Sequence, residues 1–405
     1  MKPFVRIAGR AAPWFQICGG AGWLGALCPA AILRAQLSLS AAMLCEMALG
    51  AAGIFFVFAW TAKLSTGSAT LVSYRHQVAV TGVWIALLRL RGLPVLPYLD
   101  AAAVGLGIFL TFGRLGCLLA GCCYGRPCRR GIRYGEQHCK TGFPARYVGL
   151  RLFPVQALQG LWNLGLAICC WRLARNGQPG DAFCGYVCGY ALGRFCLESL
   201  RGDPGRPRWA GITEAQWTAV ATTLALCAAG WRGWAPRHWW CAASAALLAL
   251  ASIALAFHHR MRGRFALFDA WHLWEMAGAI ETVTQGNCEE GTTIVSETSR
   301  GLRFSGSISR GGDESIGIVA FSRVPALCGD SAARRIGRFI EHVSRWHPAG
   351  RSQLVCSDRN VFHLLMPLGA ARAPRFLFGA ESALRAASRT PLFLRARAKR
   401  EARGA

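Results

Sequence analysis

The sequence predicts an all-α polytopic membrane domain of about 7–8 transmembrane helices, followed by a small soluble carboxy-terminal domain of α+β type. Three observations carry that prediction. Of 405 residues, 53% are hydrophobic and only 16% charged, against about 25% charged in soluble domains. Apolar stretches long enough to cross a bilayer recur through the first 260 positions. After about Arg260 no apolar run approaches that length, and acidic residues return to ordinary frequency.

The expected spans are residues 11–33, 41–62, 78–90 with its flanks, 98–120, 153–171, 181–200, 213–231 and 238–257. The first has no small-residue cleavage site and runs at once into another span, so it reads as an anchor and not as a cleaved signal. The expected domains are therefore 1–260, polytopic, and 261–405, soluble. Within the second, Thr292–Glu297, Leu302–Ile308 and Ile316–Phe321 alternate apolar and small polar residues as strands do, while 331–346 have helical spacing. Arg395, Arg397, Lys399, Arg400 and Arg403 form a basic tail, read as a solvated end. The histidines His258, His259, His272, His342, His347 and His363 are scattered without ligand spacing, which fits surface or core positions.

The formal net charge is +26, which alone would suggest a nucleic-acid partner. Its distribution argues otherwise. Residues 1–260 hold 25 Lys/Arg against 7 Asp/Glu, so the excess sits in and beside the apolar spans. Membrane lipid is the expected partner, and no nucleic acid is expected.

An ionisable residue inside an apolar span is a functional hypothesis with a partner to be named. Three places qualify. The first is Gly113-Arg114-Leu115-Gly116-Cys117, followed by Gly121, Gly125 and Arg126. The second is Tyr190, Arg194, Glu198 and Arg201, spaced to share one helical face. The third is Glu46, alone within the second span. An Arg194–Glu198 pair that merely neutralises itself and a lipid-phosphate site both require the same inward stripe. Arg114 on a separate span favours the phosphate site, because two inward arginines make a cationic pocket that calls for an anion. Glycines 105, 107, 113, 116 and 121 allow close helix approach, for packing or for a ligand.

Of 18 cysteines, 15 lie in the apolar part, and most read as small buried hydrophobes. Cys122, Cys123, Cys128 and Cys139 do not have usual zinc spacing, and vicinal cysteines rarely chelate together. No metal and no cofactor are expected.

In order along the chain, Gly113-Arg114-Leu115-Gly116, Gly121-x3-Gly125-Arg126, Pro154-x-Gln156, Tyr190-x3-Arg194-Phe195-x2-Glu198-x2-Arg201-x-Asp203-Pro204 and Gly211-Ile212-Thr213-x2-Gln216 resemble the phosphatidylglycerol–prolipoprotein diacylglyceryl transferase family over about residues 76–231. The Asp100-to-Arg114 spacing and the Arg-x-x-Gly-Leu-Pro turn at 89–94 agree. The resemblance implies a multi-pass enzyme of the bacterial inner (plasma) membrane that acts in lipoprotein maturation. Its partners would be phosphatidylglycerol and a prolipoprotein signal peptide with a lipobox cysteine. The diacylglyceryl group would pass to the cysteine thiol, leaving glycerol phosphate. It further implies Arg114, Arg194, Glu198, Tyr190 and His76 as catalytic residues, and Gly113, Gly116, Gly125, Arg126, Gln156 and Arg201 as substrate-binding residues.

The chain departs from the family at polar positions. Cys117 stands where the family has Asn and Cys122 where it has Glu. His76 lacks the family's flanking glycines, and Pro154-Val-Gln-Ala-Leu-Gln159 lacks a Tyr and a Glu. Two other readings stay open at this point: a degenerate, non-catalytic member acting as a lipid-binding scaffold for the carboxy-terminal domain, and a thiol-redox protein using Cys117, Cys122 and Cys123. The family's orientation puts eighteen loop cations outside against seven inside, the reverse of the positive-inside preference.

Overall fold

The computed structural model describes residues 2–7, 10–66, 73–203, 208–262, 267–268, 270–285, 293–311, 314–323, 330–344, 346, 348–357 and 361–368. Pro204, Thr292, His347 and the basic tail lie outside them. An amino-terminal hairpin, β1 (Phe4–Ile7) and β2 (Arg10–Pro13), leads into α1 (Trp14–Gln36), α2 (Ala41–Thr66), α3 (Ser73–Leu90) and α4 (Val95–Ala120). A connection of short strands, β3 (Pro127–Arg133) and β4 (Arg151–Leu152), precedes α5 (Val155–Asn176) and α6 (Asp181–Glu198). The small ribbon β5 (Arg208–Trp209) and β6 (Ile212–Thr213) precedes α7 (Glu214–Trp231) and α8 (Trp239–Arg262).

Eight helices thus occupy the eight expected places. Four are long and apolar enough to cross a membrane: Trp14–Gln36, Ala41–Leu64, Val95–Ala120 and Trp239–Arg260. The others fall short for physical reasons. α3 carries Arg75, His76 and Gln77 near its start and Arg89 near its end, and α6 carries Asp181, Arg194 and Glu198, which lower their hydropathy. α5 buries Gln156, Gln159 and Asn163, polar groups no apolar count rewards.

Helix packing centres on α4. An added Cβ at Gly107 would lie 2.9 Å from Ala167 Cβ, so α4 and α5 meet almost backbone to backbone, the small-residue packing expected where apolar burial gives helices no mutual preference over lipid. Asp100 accepts from the backbone N–H groups of Gly180 (2.6 Å) and Phe183 (2.8 Å), capping α6 from another helix. The Thr213-x2-Gln216 element is a capping box. Gln216 N–H donates to Thr213 Oγ1 at 3.3 Å and Thr213 N–H to Gln216 Oε1 at 3.0 Å, while Gln216 Nε2 ties the start of α7 to Phe195 O.

The bundle has two distinct ends. At one, Arg89 and Arg232 lie over Trp234 and Arg237 over Trp231, an arginine–tryptophan border of the kind that marks a membrane interface. Glu46 belongs to that end: it lies on the second turn of α2 and bonds Arg91 at 2.9 Å, so it is neither alone nor at mid-span. The other end gathers the loop after α4, the end of α6 and the start of α7.

The carboxy-terminal region is an α+β unit. Its elements are α9 (Ala270–Gln285), β7 (Ile294–Glu297), β8 (Leu302–Gly311), β9 (Glu314–Arg323), α10 (Asp330–Val343), β10 (Gln353–Ser357) and β11 (Val361–Leu368). The five strands form an antiparallel sheet in the order β10-β11-β9-β8-β7. One sheet face buries Leu302, Phe304, Val319, Phe321, Phe362, Leu364 and Met366 with Met276 and Ile280 of α9 and Ile336 and Ile340 of α10, the alternation a one-sided sheet requires. His272 is a core histidine, its ring nitrogens 2.7 Å from Leu267 O and 2.9 Å from Thr298 Oγ1.

This core is not confined to the carboxy-terminal region. Tyr124, Tyr134, Phe143, Tyr147, Leu150 and Leu152 from the loop after α4 belong to the same apolar cluster. Arg146 stacks 4.1 Å over the Trp274 ring, Tyr147 meets that ring edge-on, and Arg146 Nε lies 3.9 Å from Glu281. The carboxy-terminal sheet therefore sits at the same end of the bundle as the loop after α4, as an even number of intervening helices requires.

Candidate functional site

The site is built where α4, α5 and α6 finish or begin. Arg114 lies one and a half turns before the end of α4 and is only 6% exposed. It has no carboxylate partner among the described residues. Arg194 and Glu198, one turn apart on α6, form a buried ion pair at 2.8 Å.

Arg201 was expected on the same helical face, but α6 ends at Glu198. The chain turns instead, with Arg201 N–H donating to Glu198 O at 3.2 Å, and Arg201 enters a β-bridge with Gly125. The bridge takes the backbone that a further helical turn would use. Arg201 then pairs in two-pronged fashion with Asp203, at 2.8 and 2.9 Å. Arg114 and Arg201 are near enough to feel each other's charge, and both feel Cys123.

Gly125 is where backbones meet. A Cβ there would fall 2.4 Å from Phe153 O and 3.1 Å from Leu200 O, so no side chain fits. Arg126 completes the seam, its backbone N–H donating to Leu200 O at 3.1 Å and its Nε to Arg201 O at 3.4 Å. Gly116 accommodates α1, with Phe15 and Cys18 about it, whereas a Cβ at Gly113 would meet nothing.

Gln156 anchors the loop from below. Its Nε2 donates to Cys122 O at 2.8 Å and approaches the Tyr134 hydroxyl at 3.3 Å, while its buried Oε1 has no hydrogen-bond partner among the described residues. Behind the loop, Gly121 rests against Tyr134, Phe143 and His138. Burial holds His138 below the usual imidazole range, and its Nδ1 accepts from Gly135 N–H at 3.2 Å.

Tyr190 lies on the α6 face one turn before Arg194. Its hydroxyl accepts from Gln77 Nε2 at 3.1 Å, its ring stacks on Tyr186, and Tyr186 donates to Gln77 Oε1 at 2.8 Å. Gln77 was not expected. Its neighbour His76 turns the other way, with Nε2 3.2 Å from Ala51 O and its ring edge-on to Phe55 and Phe58 of α2. Helical geometry explains the exchange, since adjacent residues project about 100° apart. Asn163 was also missed: it is 1% exposed, on the α5 stripe that carries Gly160 beside Arg114, and both its amide atoms lack a hydrogen-bond partner among the described residues.

The structure also gathers three thiols. The Sγ atoms of Cys117, Cys122 and Cys123 lie within 4.8 Å of one another. Cys128 and Cys139, part of the set weighed from spacing, are elsewhere.

A groove of about 510 Å³ opens between α3 and α7, lined by Val78, Trp209, Trp217 and Thr218. Glu214, also in its lining, is ion-paired with Arg75.

The family model for prolipoprotein diacylglyceryl transferase matches residues 75–232. That segment resembles the family. It contains α4 to α7, most of α3 and every site residue expected from the sequence. Among curated relatives, the phosphatidylglycerol–prolipoprotein diacylglyceryl transferase 2 of Clostridium perfringens is 35% identical over 116 residues, covering 27% of this chain and 42% of the relative. The transferase of Clostridium tetani is 34% identical over 133 residues, covering 32% and 51%. Transferase 2 of Streptomyces coelicolor is 30% identical over 150 residues, covering 36% and 46%. The chain thus spans about half the length, or less, of these relatives.

Proposed function

We propose that this chain is a multi-pass transferase of the bacterial inner membrane, in which all eight helices α1–α8 cross the bilayer within a domain of residues 1–260. It moves the diacylglyceryl group of phosphatidylglycerol to the thiol of a prolipoprotein's lipobox cysteine. The observation that carries this reading is Arg114, a buried cation with no carboxylate partner among the described residues, in the segment that resembles the family. A buried unpaired charge is costly, and a phospholipid phosphate supplies the missing anion at that depth.

The residues then divide the work. Arg114 takes the phosphate, so negative charge developing on the departing glycerol phosphate meets a fixed cation, while Arg201, held by Asp203, binds the substrate within electrostatic reach of it. Glu198 orients Arg194. Tyr190, whose oxygen accepts from Gln77, keeps its proton to donate to substrate oxygen. Gly125 lets the loop pack backbone to backbone against Phe153 and Leu200, which fixes Arg201 at the site, and Gln156 holds that loop through the carbonyl of Cys122. Gln77 occupies the polar position on α3 that the sequence suggested for His76. The cationic field also favours the thiolate over the thiol of the incoming cysteine.

The test uses membranes containing the full chain, phosphatidylglycerol labelled in its diacylglyceryl part, and a lipobox peptide. Label should appear on the peptide in a bond that resists thioester cleavage, and not on a Cys-to-Ser peptide. Correctly inserted protein that gives no transfer above membranes lacking it would reject the reading.

A further inference from the structure

The three gathered thiols remain outside the roles just assigned. Cys117 lies on the last turn of α4, and Cys122 and Cys123 follow the helix end. Side chains of adjacent residues usually project apart, which is why vicinal cysteines rarely share a ligand. Here the backbone overcomes that. Gly121 adopts a left-handed conformation at φ 80° and Cys123 repeats it at φ 55°, a region a side chain enters only when its surroundings impose it, and one found preferentially at functional sites. The result is three sulfurs within 4.8 Å. Tetrahedral zinc with Zn–S bonds of about 2.3 Å would hold its sulfurs about 3.8 Å apart, a closure that small side-chain rotations provide.

We propose that Cys117, Cys122 and Cys123 bind one zinc ion as three thiolates and leave its fourth position open for an incoming thiol. Zinc with three thiolates carries one net negative charge, and Arg114 and Arg201 stand within electrostatic reach of the thiols. Three protein ligands and one open position are the arrangement of zinc sites that act on a substrate, whereas closed four-ligand sites are structural.

The identity of the incoming thiol rests on the transferase reading. On binding, the lipobox thiol gives its proton to water and ligates zinc as thiolate. The sulfur lone pair then forms the S–C bond to the glycerol carbon, the C–O bond to phosphate breaks with its electron pair leaving on glycerol phosphate, and the neutral thioether, a poor ligand, departs. No oxidant or reductant takes part.

The test of the site measures metal, and lipid transfer is assayed separately. The full chain, purified in detergent under reducing conditions, should contain about one zinc per chain by mass spectrometry. Cys117→Ser, Cys122→Ser and Cys123→Ser should each lose most of it, and Cys128→Ser should keep it. Cobalt substitution should give thiolate-to-metal charge-transfer bands, which a lipobox cysteine peptide shifts and its serine counterpart does not. In the unaltered chain, chelation should expose three further thiols to alkylation, a readout independent of how any variant folds. Reduced protein without stoichiometric metal, or zinc retained in the three serine variants, overturns the site. Cobalt bands indifferent to the peptide overturn the open position. Absent lipid transfer by protein that passes all three measurements would reject the transferase reading and leave the metal site standing.

Discussion

The helical bundle and the carboxy-terminal sheet bury opposite kinds of residue. In the sheet, Phe304, Val319 and Phe321 are inside, and Arg303 pairs with Glu297 at the surface, each about half exposed. In the bundle, Phe56, Trp60, Leu250 and Phe257 are well exposed, while Arg114, Arg194, Glu198 and Arg201 are at most 6% exposed. Each region turns outward what its solvent accepts. The same Arg–Glu chemistry is therefore decoration in one region and a committed structural element in the other.

Breaking one pair in each region tests this contrast. Glu198→Ala removes the buried carboxylate paired with Arg194 and should cost about 3–5 kcal/mol, seen as a large drop in the thermal midpoint of the detergent-solubilised chain. Glu297→Ala breaks a pair of the same residue types in water and should cost no more than about 1 kcal/mol. Equal losses would mean that the interior of the bundle is wet.

The seam between the regions comes next in size. Arg146→Ala removes the stacking on Trp274 and the contact with Glu281, and should weaken docking of the sheet by about 1–2 kcal/mol. Limited proteolysis should then cut after α8 sooner, with the bundle's own stability unchanged. The smallest effect is a matter of sidedness. Cys128 in the loop after α4 and the exposed Cys356 on β10 should react with a membrane-impermeant maleimide from the same side of sealed vesicles. Reaction from opposite sides would break the docking described here.

Much of the bundle was legible because its lipid face is written in long apolar runs: eight runs, eight helices, with boundaries a few residues off. The strands at 294–297, 302–311 and 314–323 and the helix at 330–343 were legible through alternation and helical spacing. α9, β10 and β11 were not. Met276 and Ile280 on α9 owe their burial to contacts across the chain, and β10 is an edge strand with Val355 and Cys356 exposed on both of its faces, so it carries no alternating signal.

At the site, Arg114, Arg194 and Glu198 were legible because a charge within an apolar run is conspicuous. Gln77 and Asn163 were not, since neutral amides disturb hydropathy little. The Arg201 bridge to Gly125 depends on a contact 76 positions apart. The thiol cluster was hidden for the converse reason: ligand spacing assumes ordinary backbone, and two consecutive turns here include left-handed residues at Gly121 and Cys123.

The central claim is that Arg114 holds the phosphate of the lipid donor. The most direct measurement is diacylglyceryl transfer from phosphatidylglycerol to a lipobox peptide by membranes carrying either Arg114→Ala or Arg91→Ala, at matched protein levels. Loss of one such charge-stabilising donor should lower turnover by about 10²–10³-fold for Arg114→Ala, while Arg91→Ala, at the far end of the bundle, leaves the rate close to that of the unaltered chain. Equal, undiminished transfer by both variants would contradict the account.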